Sequence, residues 1–365
     1  MRAIEDRGGA VRVATVDDPD AREVSGVDRW PSIPFWAYPQ LRIAAPSRQR
    51  ALDLIEGWKP TLVHVTTEFG VGLGGLFAAR EAGVPVVSSY HTHFKAYLEF
   101  YNLSFLDQVA WPYIRWFHNQ GLRTFAPSGI VARELETQGI EQVRVWSRGV
   151  DPSRFSPSFR SAEMRRRLGA EGDDSTVVLY VGRLAREKGI RVLLDAMHRI
   201  HARGEQGLRR IVFALVGDGP AEAECRAAAP AGTVFTGKLT GRELSEAYAS
   251  ADIFAFPSVT ETFGNVVLEA MASGLAVLAP DTGATTEFAT TETAVQFPAK
   301  DAVALAARIV ELANDRVRRN CLSATALAFA KARTWDAIFD GLVRDYREVA
   351  GRLPMLAAVR QSDTR

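Results

Sequence analysis

The sequence predicts an α/β protein of two Rossmann-like, doubly wound domains facing a ligand cleft, and three observations predict it. Short apolar runs of strand length alternate with segments of helical period, the pattern that builds parallel sheets covered by helices. The strand-like runs end repeatedly in polar, glycine-bearing loops, and open α/β sheets bind ligands outside the carboxyl ends of their strands. The alternation lapses at residues 148–161, RGVDPSRFSPSFRS, where periodicity gives way to proline and serine. A first domain over 1–150 and a second from 151 onward follow from that break.

Length and composition fit this reading. The 365 residues suffice for two cores, and 47% hydrophobic with 24% charged residues describes a globular chain. The net charge is +1, and residues 1–150 carry 16 Lys/Arg against 16 Asp/Glu, which argues against a nucleic-acid binder. Cys225 and Cys321 stand far apart without metal-ligand spacing, so a reducing compartment, the cytoplasm, is expected. No apolar run reaches the roughly 18 residues of a membrane span, and Met1–Gly9 has no apolar core of a signal peptide.

In the first domain, residues 11–16 (VRVATV) read as a strand closed by Asp17-Asp18-Pro19-Asp20. Asp18 and Asp20 have the spacing of a metal-binding pair, but a solvated turn accounts for them better. Residues 21–45, with Trp30, Pro31, Pro34, Phe35, Trp36, Tyr38 and Pro39, are expected as a packed irregular loop near the cleft. A helix over 46–58 and a strand over 61–66 lead to a glycine loop, Gly70 to Gly75, opening a helix over 74–82; it is a weak phosphate signal that close helix packing explains equally well. A strand over 83–90 ends at His91-Thr92-His93, both histidines facing the crevice. With no third ligand evident nearby, a sugar-binding or polarising role is the sharper reading than a metal. The aromatic helix 105–120 suits a core or a lipid surface. A strand (123–127), a helix (128–138) and a strand (142–146) complete the domain.

The second domain begins with Arg165–Arg167 on a solvated helix face and a strand over 176–181. Gly182-Arg183-Leu-Ala-Arg-Glu-Lys188-Gly189 then precedes a helix over 190–203. A glycine at a strand end, an arginine fork and a lysine point charge suit a diphosphate. A strand over 211–216 ends in Gly217-Asp218-Gly219-Pro220 before a helix over 220–228, and a strand over 233–236 ends in Gly237-Lys238. A helix (240–249), a strand (252–256), a strand (275–279) ending at Pro280 to Ala284, and helices over 302–313, 315–332 and 335–350 finish the fold, with a loose tail over 354–365.

Between the last two strands lies Glu261-Thr-Phe263-Gly264-Asn265-Val266-Val-Leu-Glu269-Ala-Met-Ala-Ser-Gly274. Val266, Val267, Ala270 and Met271 repeat at helical spacing, Asn265 is expected as N-cap, and Gly274 is a stop signal. Two carboxylates and a glycine remain over. The first helical amides and the macrodipole make a phosphate seat at Gly264 to Val266. Glu269 then lies roughly 7 Å along the axis at about 1.5 Å per residue, where a ribose on that phosphate offers its hydroxyls. The plainer alternative is an acid pair favourable to the helix dipole.

Taken in order over roughly residues 25 to 350, Ser89-Tyr-His-Thr-His93, Val150 to Phe155, Val181 to Gly189, Val216 to Pro220, Phe235 to Gly237 and Glu261 to Gly274 resemble the motif set of retaining glycosyltransferases of family four, of GT-B fold. Their nearest likeness is to bacterial GDP-mannose-dependent α-mannosyltransferases and sulfoquinovosyl-diacylglycerol synthases. The resemblance implies a nucleotide-diphosphate sugar donor, a lipid or glycan acceptor, and peripheral contact with the inner face of the cell membrane. It implies no cofactor and no metal. Gly182, Arg183 and Lys188 would hold the diphosphate, with the amides of Phe263 to Val266 completing its seat. Glu269 would bind the ribose, Glu261 the transferred sugar, and His91 would lie beside the reacting carbon. Gly217, Asp218, Gly237 and Lys238 would border the base. The second domain would end at 334, and residues 335–365 would supply a helix crossing back to the first domain, then the tail. Retention is expected through same-face attack with an oxocarbenium-like state, so no general base is assigned. One departure stands out: Gly8 to Val16 matches the family's second strand, so the first βα unit is expected to be missing, through a misassigned start or a true loss. A nucleotide-sugar-binding relative without turnover is the alternative this raises.

Overall fold

In a computed structural model, which describes residues 1–19, 21–35, 38–91, 107–172, 174–202, 204 and 210–351, the chain divides into two units. One comprises Met1–Ser147 with the chain from Asp336 onward, the other Arg148–Trp335. Asp20, His93 and the tail after Gly351 lie outside the described residues.

The first unit opens with one helical turn, α1 (Arg2–Glu5), and β1 (Val13–Val16), which pairs in parallel with β2 (Val27–Trp30). β3 (Ser32–Phe35) and β4 (Tyr38–Ala44) form an antiparallel hairpin. The aromatic, proline-rich stretch is therefore strand and not an irregular loop. In a two-stranded sheet every strand is an edge, so Pro34 and its missing N–H are tolerated. There follow α2 (Arg48–Trp58), capped by Ser47, then β5 (Val63–Val65), α3 (Val71–Glu81), β6 (Val86–Ser89), α4 (Asp107–His118), β7 (Arg123–Ala126), α5 (Gly129–Thr137), capped by Ser128, and β8 (Val143–Val145). Strands β5 to β8 form one parallel sheet in chain order. Among the described residues no strand joins it to β1 and β2, so the parallel strands of this unit lie in two sheets around one core, with Trp30, Leu52, Val65, Leu76 and Phe117 at its centre.

Helix α3 starts at Val71, earlier than expected, and its glycines show why. A Cβ on Gly72 would stand 1.8 Å from the Thr67 carbonyl oxygen, and one on Gly74 3.1 Å from the Ser47 backbone. Close packing accounts for both.

In the second unit come α6 (Ala162–Arg167), β9 (Ser175–Val181), α7 (Ile190–Ala202), β10 (Arg210–Val216), α8 (Glu222–Ala228), β11 (Val234–Gly237), α9 (Gly241–Ser250), β12 (Ile253–Ala255), α10 (Asn265–Ala272), β13 (Ala276–Pro280), β14 (Val295–Phe297), α11 (Ala302–Asn314) and α12 (Arg316–Ala332). The sheet is wholly parallel, in the order β11-β10-β9-β12-β13-β14. Counted within the unit, that is third, second, first, fourth, fifth, sixth: a doubly wound sheet whose order reverses between β9 and β12. Every residue of β9 is buried, with Val177, Leu179 and Val181 in one core and Val178 and Tyr180 in the other. A strand buried on both faces reads as an unbroken apolar run, which is why the sequence showed it. β14 was not anticipated.

Arg165 corrects the expectation of a solvated basic face. Its guanidinium donates to Asp252 at 2.9 Å and to the carbonyls of Ser175 and Ser250, while Arg166 and Arg167 stay exposed.

The terminal helix α13 (Trp335–Gly351) contributes to the first unit. Arg123, 2% exposed at the start of β7, donates to Asp345 and Glu348 of this helix. His64 bridges Ser89 and the Tyr346 hydroxyl, and burial, with the charge of His91, lowers its pKa to about 3, so it is neutral. Arg123→Ala leaves two carboxylates of α13 without their cation and should destabilise the fold by about 2–4 kcal/mol, read by urea unfolding.

No helix among the described residues is long and apolar enough to cross a membrane.

Candidate functional site

The reversal between β9 and β12 fixes where the second unit can bind a ligand, because the loops leaving those strands diverge to opposite faces and open a crevice. Three of the predicted loops meet there. The Gly182 amide donates to Val216 at 3.0 Å, Gly217 to Gly237 at 2.9 Å, and Leu184 to Asp218 at 2.7 Å. A Cβ on Gly217 would lie 2.0 Å from the Gly182 carbonyl oxygen, so this approach demands glycine. Asp218 and Lys238 are exposed at its rim.

Both predicted cations are present, each held by a carboxylate. Lys188 Nζ donates to Glu261 Oε1 at 2.6 Å, with the side chains 19% and 22% exposed. Ser258 Oγ donates to the same oxygen at 3.3 Å. Arg183 donates to Glu187, whose backbone carbonyl accepts from Thr260 Oγ1 at 3.1 Å. The loop after β9 is thus laced to the loop after β12, with Arg183, Lys188 and Glu261 fixed beside the switch point. Glu187, Ser258 and Thr260 were not anticipated. Only the i,i+4 spacing of Arg183 and Glu187 foreshadowed one of them.

Helix α10 begins at Gly264, which replaces Asn265 as N-cap. Gly264 has φ 96° and no side chain caps the helix, while Asn265 is its exposed first residue. The opening amides therefore keep their N–H groups for something other than a capping side chain. Phe263 turns inward, 4% exposed, and stacks on Phe288 at 4.8 Å, so only its backbone is available. At the other end Gly274 N–H donates to Met271 and Leu275 N–H to Ala270, the Schellman pattern.

Glu269, a turn inside α10, accepts from the Tyr248 hydroxyl at 2.9 Å. Burial raises the Glu269 pKa, and the Tyr248 bond and the charge of Arg154 oppose this only in part. Tyr248, fully buried on α9, had no signal in the sequence. A carboxylate whose folded pKa is raised favours the proton-bound native state, so the penalty is absent below the unfolded pKa and grows as pH rises through the folded one. Glu269→Gln should therefore raise stability at pH 7 and leave it nearly unchanged at pH 4, as thermal melts at both pH values will show.

His91 belongs to the first unit, half-buried just beyond β6, with its ring edge-on to Trp146 at 6.1 Å.

Residues 1–154 match the model described as Glycosyltransferase Family 4, and residues 175–315 that of Glycosyl transferases group 1. A GDP-mannose-dependent alpha-mannosyltransferase of Mycobacterium tuberculosis (strain CDC 1551 / Oshkosh) is 36% identical over 334 residues, 91% of this chain and 84% of that protein. The chain belongs to the family 4 glycosyltransferases. Sulfoquinovosyl transferase SQD2 of Arabidopsis thaliana is also 36% identical to this glycosyltransferase, over 78% of this chain but 55% of that longer protein. Among solved structures, sucrose-phosphate synthase of Thermosynechococcus elongatus superposes with a TM-score of 0.75 at 22% identity, covering 95% of this chain and 90% of that one. Anabaena HepE, in complex with UDP and glucose, gives 0.68 at 20% identity, covering 88% and 86%. The fold of this glycosyltransferase is GT-B.

Proposed function

We propose that this glycosyltransferase moves a hexose, mannose from GDP-mannose, to a lipid or glycan acceptor with retention of configuration. The observation that carries the reading is the meeting, at the switch point, of Arg183, Lys188 and Glu261 with the uncapped start of α10. Leaving a sugar, the diphosphate gains negative charge at one place. Arg183, Lys188 and the amides from Gly264 to Val266 are fixed where it develops, which stabilises the departing group without a metal. Glu269 takes the ribose hydroxyls, Glu261 the hydroxyls of the sugar, Gly182, Gly217, Asp218, Gly237 and Lys238 border the diphosphate and base, and His91 is the catalytic histidine of the first unit. The similarity to three mannosyltransferases supports mannose; that to SQD2 supports a second reading, a UDP-sugar-dependent glycolipid synthase. A lipid acceptor would bring the enzyme to the inner face of the membrane.

Calorimetric titration with GDP and UDP separates the two donors, and transfer of labelled sugar distinguishes an enzyme from a relative that only binds. Failure of every nucleotide to bind would overturn the assignment. Lys188→Ala should weaken the chosen nucleotide by about 1–3 kcal/mol, the worth of one charge-assisted contact.

A further inference from the structure

At the amino ends of the strands, away from the switch point, the second unit holds a cavity of about 430 Å³. Ser175 and Asp252, just inside or ahead of β9 and β12, and Gly274 before β13 lie in its wall. β9 rises about 3.3 Å per residue, which puts this cavity about 20 Å from the loop at Gly182. Its lining is strongly cationic, with Arg160, Arg165, Arg316 and Arg319 against the single carboxylate of Asp252, a formal excess of three positive charges.

That carboxylate is already engaged, because Asp252 Oδ2 accepts from Arg165 Nη1 at 2.9 Å and from the Val177 amide at 2.8 Å. Donor capacity is left over. Arg160 pairs with Asp252 Oδ1 at 3.5 Å and reaches the Ala249 and Ala251 carbonyls at 3.3 and 3.4 Å, all long contacts, and its side chain is 49% exposed. Arg165 Nε is buried without a hydrogen-bond partner, a donor that an anion in the cavity would satisfy. On α12, Arg316, Asn320 and Ser323 are spaced i, i+4, i+7 and present one polar face to the cavity, while Arg319, 7% exposed, donates inward to Leu312 and Ala313. Forked guanidinium donors in excess, with no lysine among them, match tetrahedral oxyanions carrying two or more charges. The volume admits more than a bare phosphate.

We propose that this cavity is a second ligand site of the enzyme, taking a phosphomonoester or diphosphate group borne by a small molecule or a lipid headgroup. It is separate from the donor crevice and does not rest on the donor reading. Arg165 and Arg319 also hold the fold, so the test uses the exposed pair. In full-length protein carrying Lys188→Ala, to weaken competition from the crevice, pyrophosphate and glycerol phosphate are titrated calorimetrically. Phosphatidic acid in phosphatidylcholine vesicles is tested by co-sedimentation. Adding Arg160→Ala with Arg316→Ala should weaken binding at least tenfold. Adding Arg199→Ala with Arg242→Ala, which removes equal charge elsewhere on the unit, should leave it unchanged. That contrast with the soluble anions identifies a free phosphorylated ligand; the same contrast confined to vesicles identifies a headgroup. Absence of binding by every probe, or equal weakening by both pairs of substitutions, overturns the proposal.

Discussion

Glu261→Gln is expected to lower the rate of sugar transfer by about 10²-fold or more while nucleoside diphosphate binds at least as tightly as to the parent enzyme. The asymmetry follows from the ion pair. Lys188 Nζ lies 2.6 Å from Glu261 Oε1, so a diphosphate that recruits Lys188 competes with that carboxylate. An amide of the same shape removes the competitor, and Lys188 becomes a better phosphate ligand. On the proposed assignment the transferred sugar, by contrast, loses a charged acceptor for its hydroxyls. Lys188→Ala acts in the opposite sense, removing phosphate affinity and leaving Glu261 in place. Calorimetry with nucleoside diphosphate and steady-state transfer assays, run on both variants, separate the two effects. Equal loss of nucleotide affinity in both would contradict the division of roles.

The parts of this site that the sequence revealed are those with a local cause. Glycines at strand ends, an arginine and a lysine within one loop, and a helix flanked by carboxylates are patterns of neighbouring residues, and the family-specific order of motifs compounds them. The clamps were hidden because each joins elements far apart in sequence. Tyr248 meets Glu269 across 21 residues, and Lys188 meets Glu261 across 73. Arg165 was misread for the same reason: its partner Asp252 is 87 residues away, and a run of three consecutive arginines gives no sign that one member turns inward. The hairpin of β3 and β4 was missed because its prolines contradict strand propensity, a contradiction an edge position removes. Asn265 was preferred as N-cap on side-chain chemistry, whereas backbone geometry assigns the cap to Gly264.

That exchange of one residue for its neighbour makes Gly264 an exacting position in the crevice, and Gly264→Ala the second large effect expected. At φ 96° a side chain costs about 1–2 kcal/mol in backbone strain alone. The new Cβ would also fall 2.6 Å from Thr285 Cγ2, a buried methyl on the loop after β13. Together these should destabilise the fold by about 2–4 kcal/mol and, by displacing the amides at the start of α10, weaken nucleoside diphosphate at least about tenfold. The two causes separate in a double-mutant cycle. Thr285→Ser deletes the methyl, so Gly264→Ala in that background should recover the steric share and retain the torsional one. Urea unfolding measures the first quantity and calorimetry the second. If stability returns and nucleotide affinity does not, the backbone conformation at Gly264, rather than its freedom from contact, is what aims the helix amides at the phosphate.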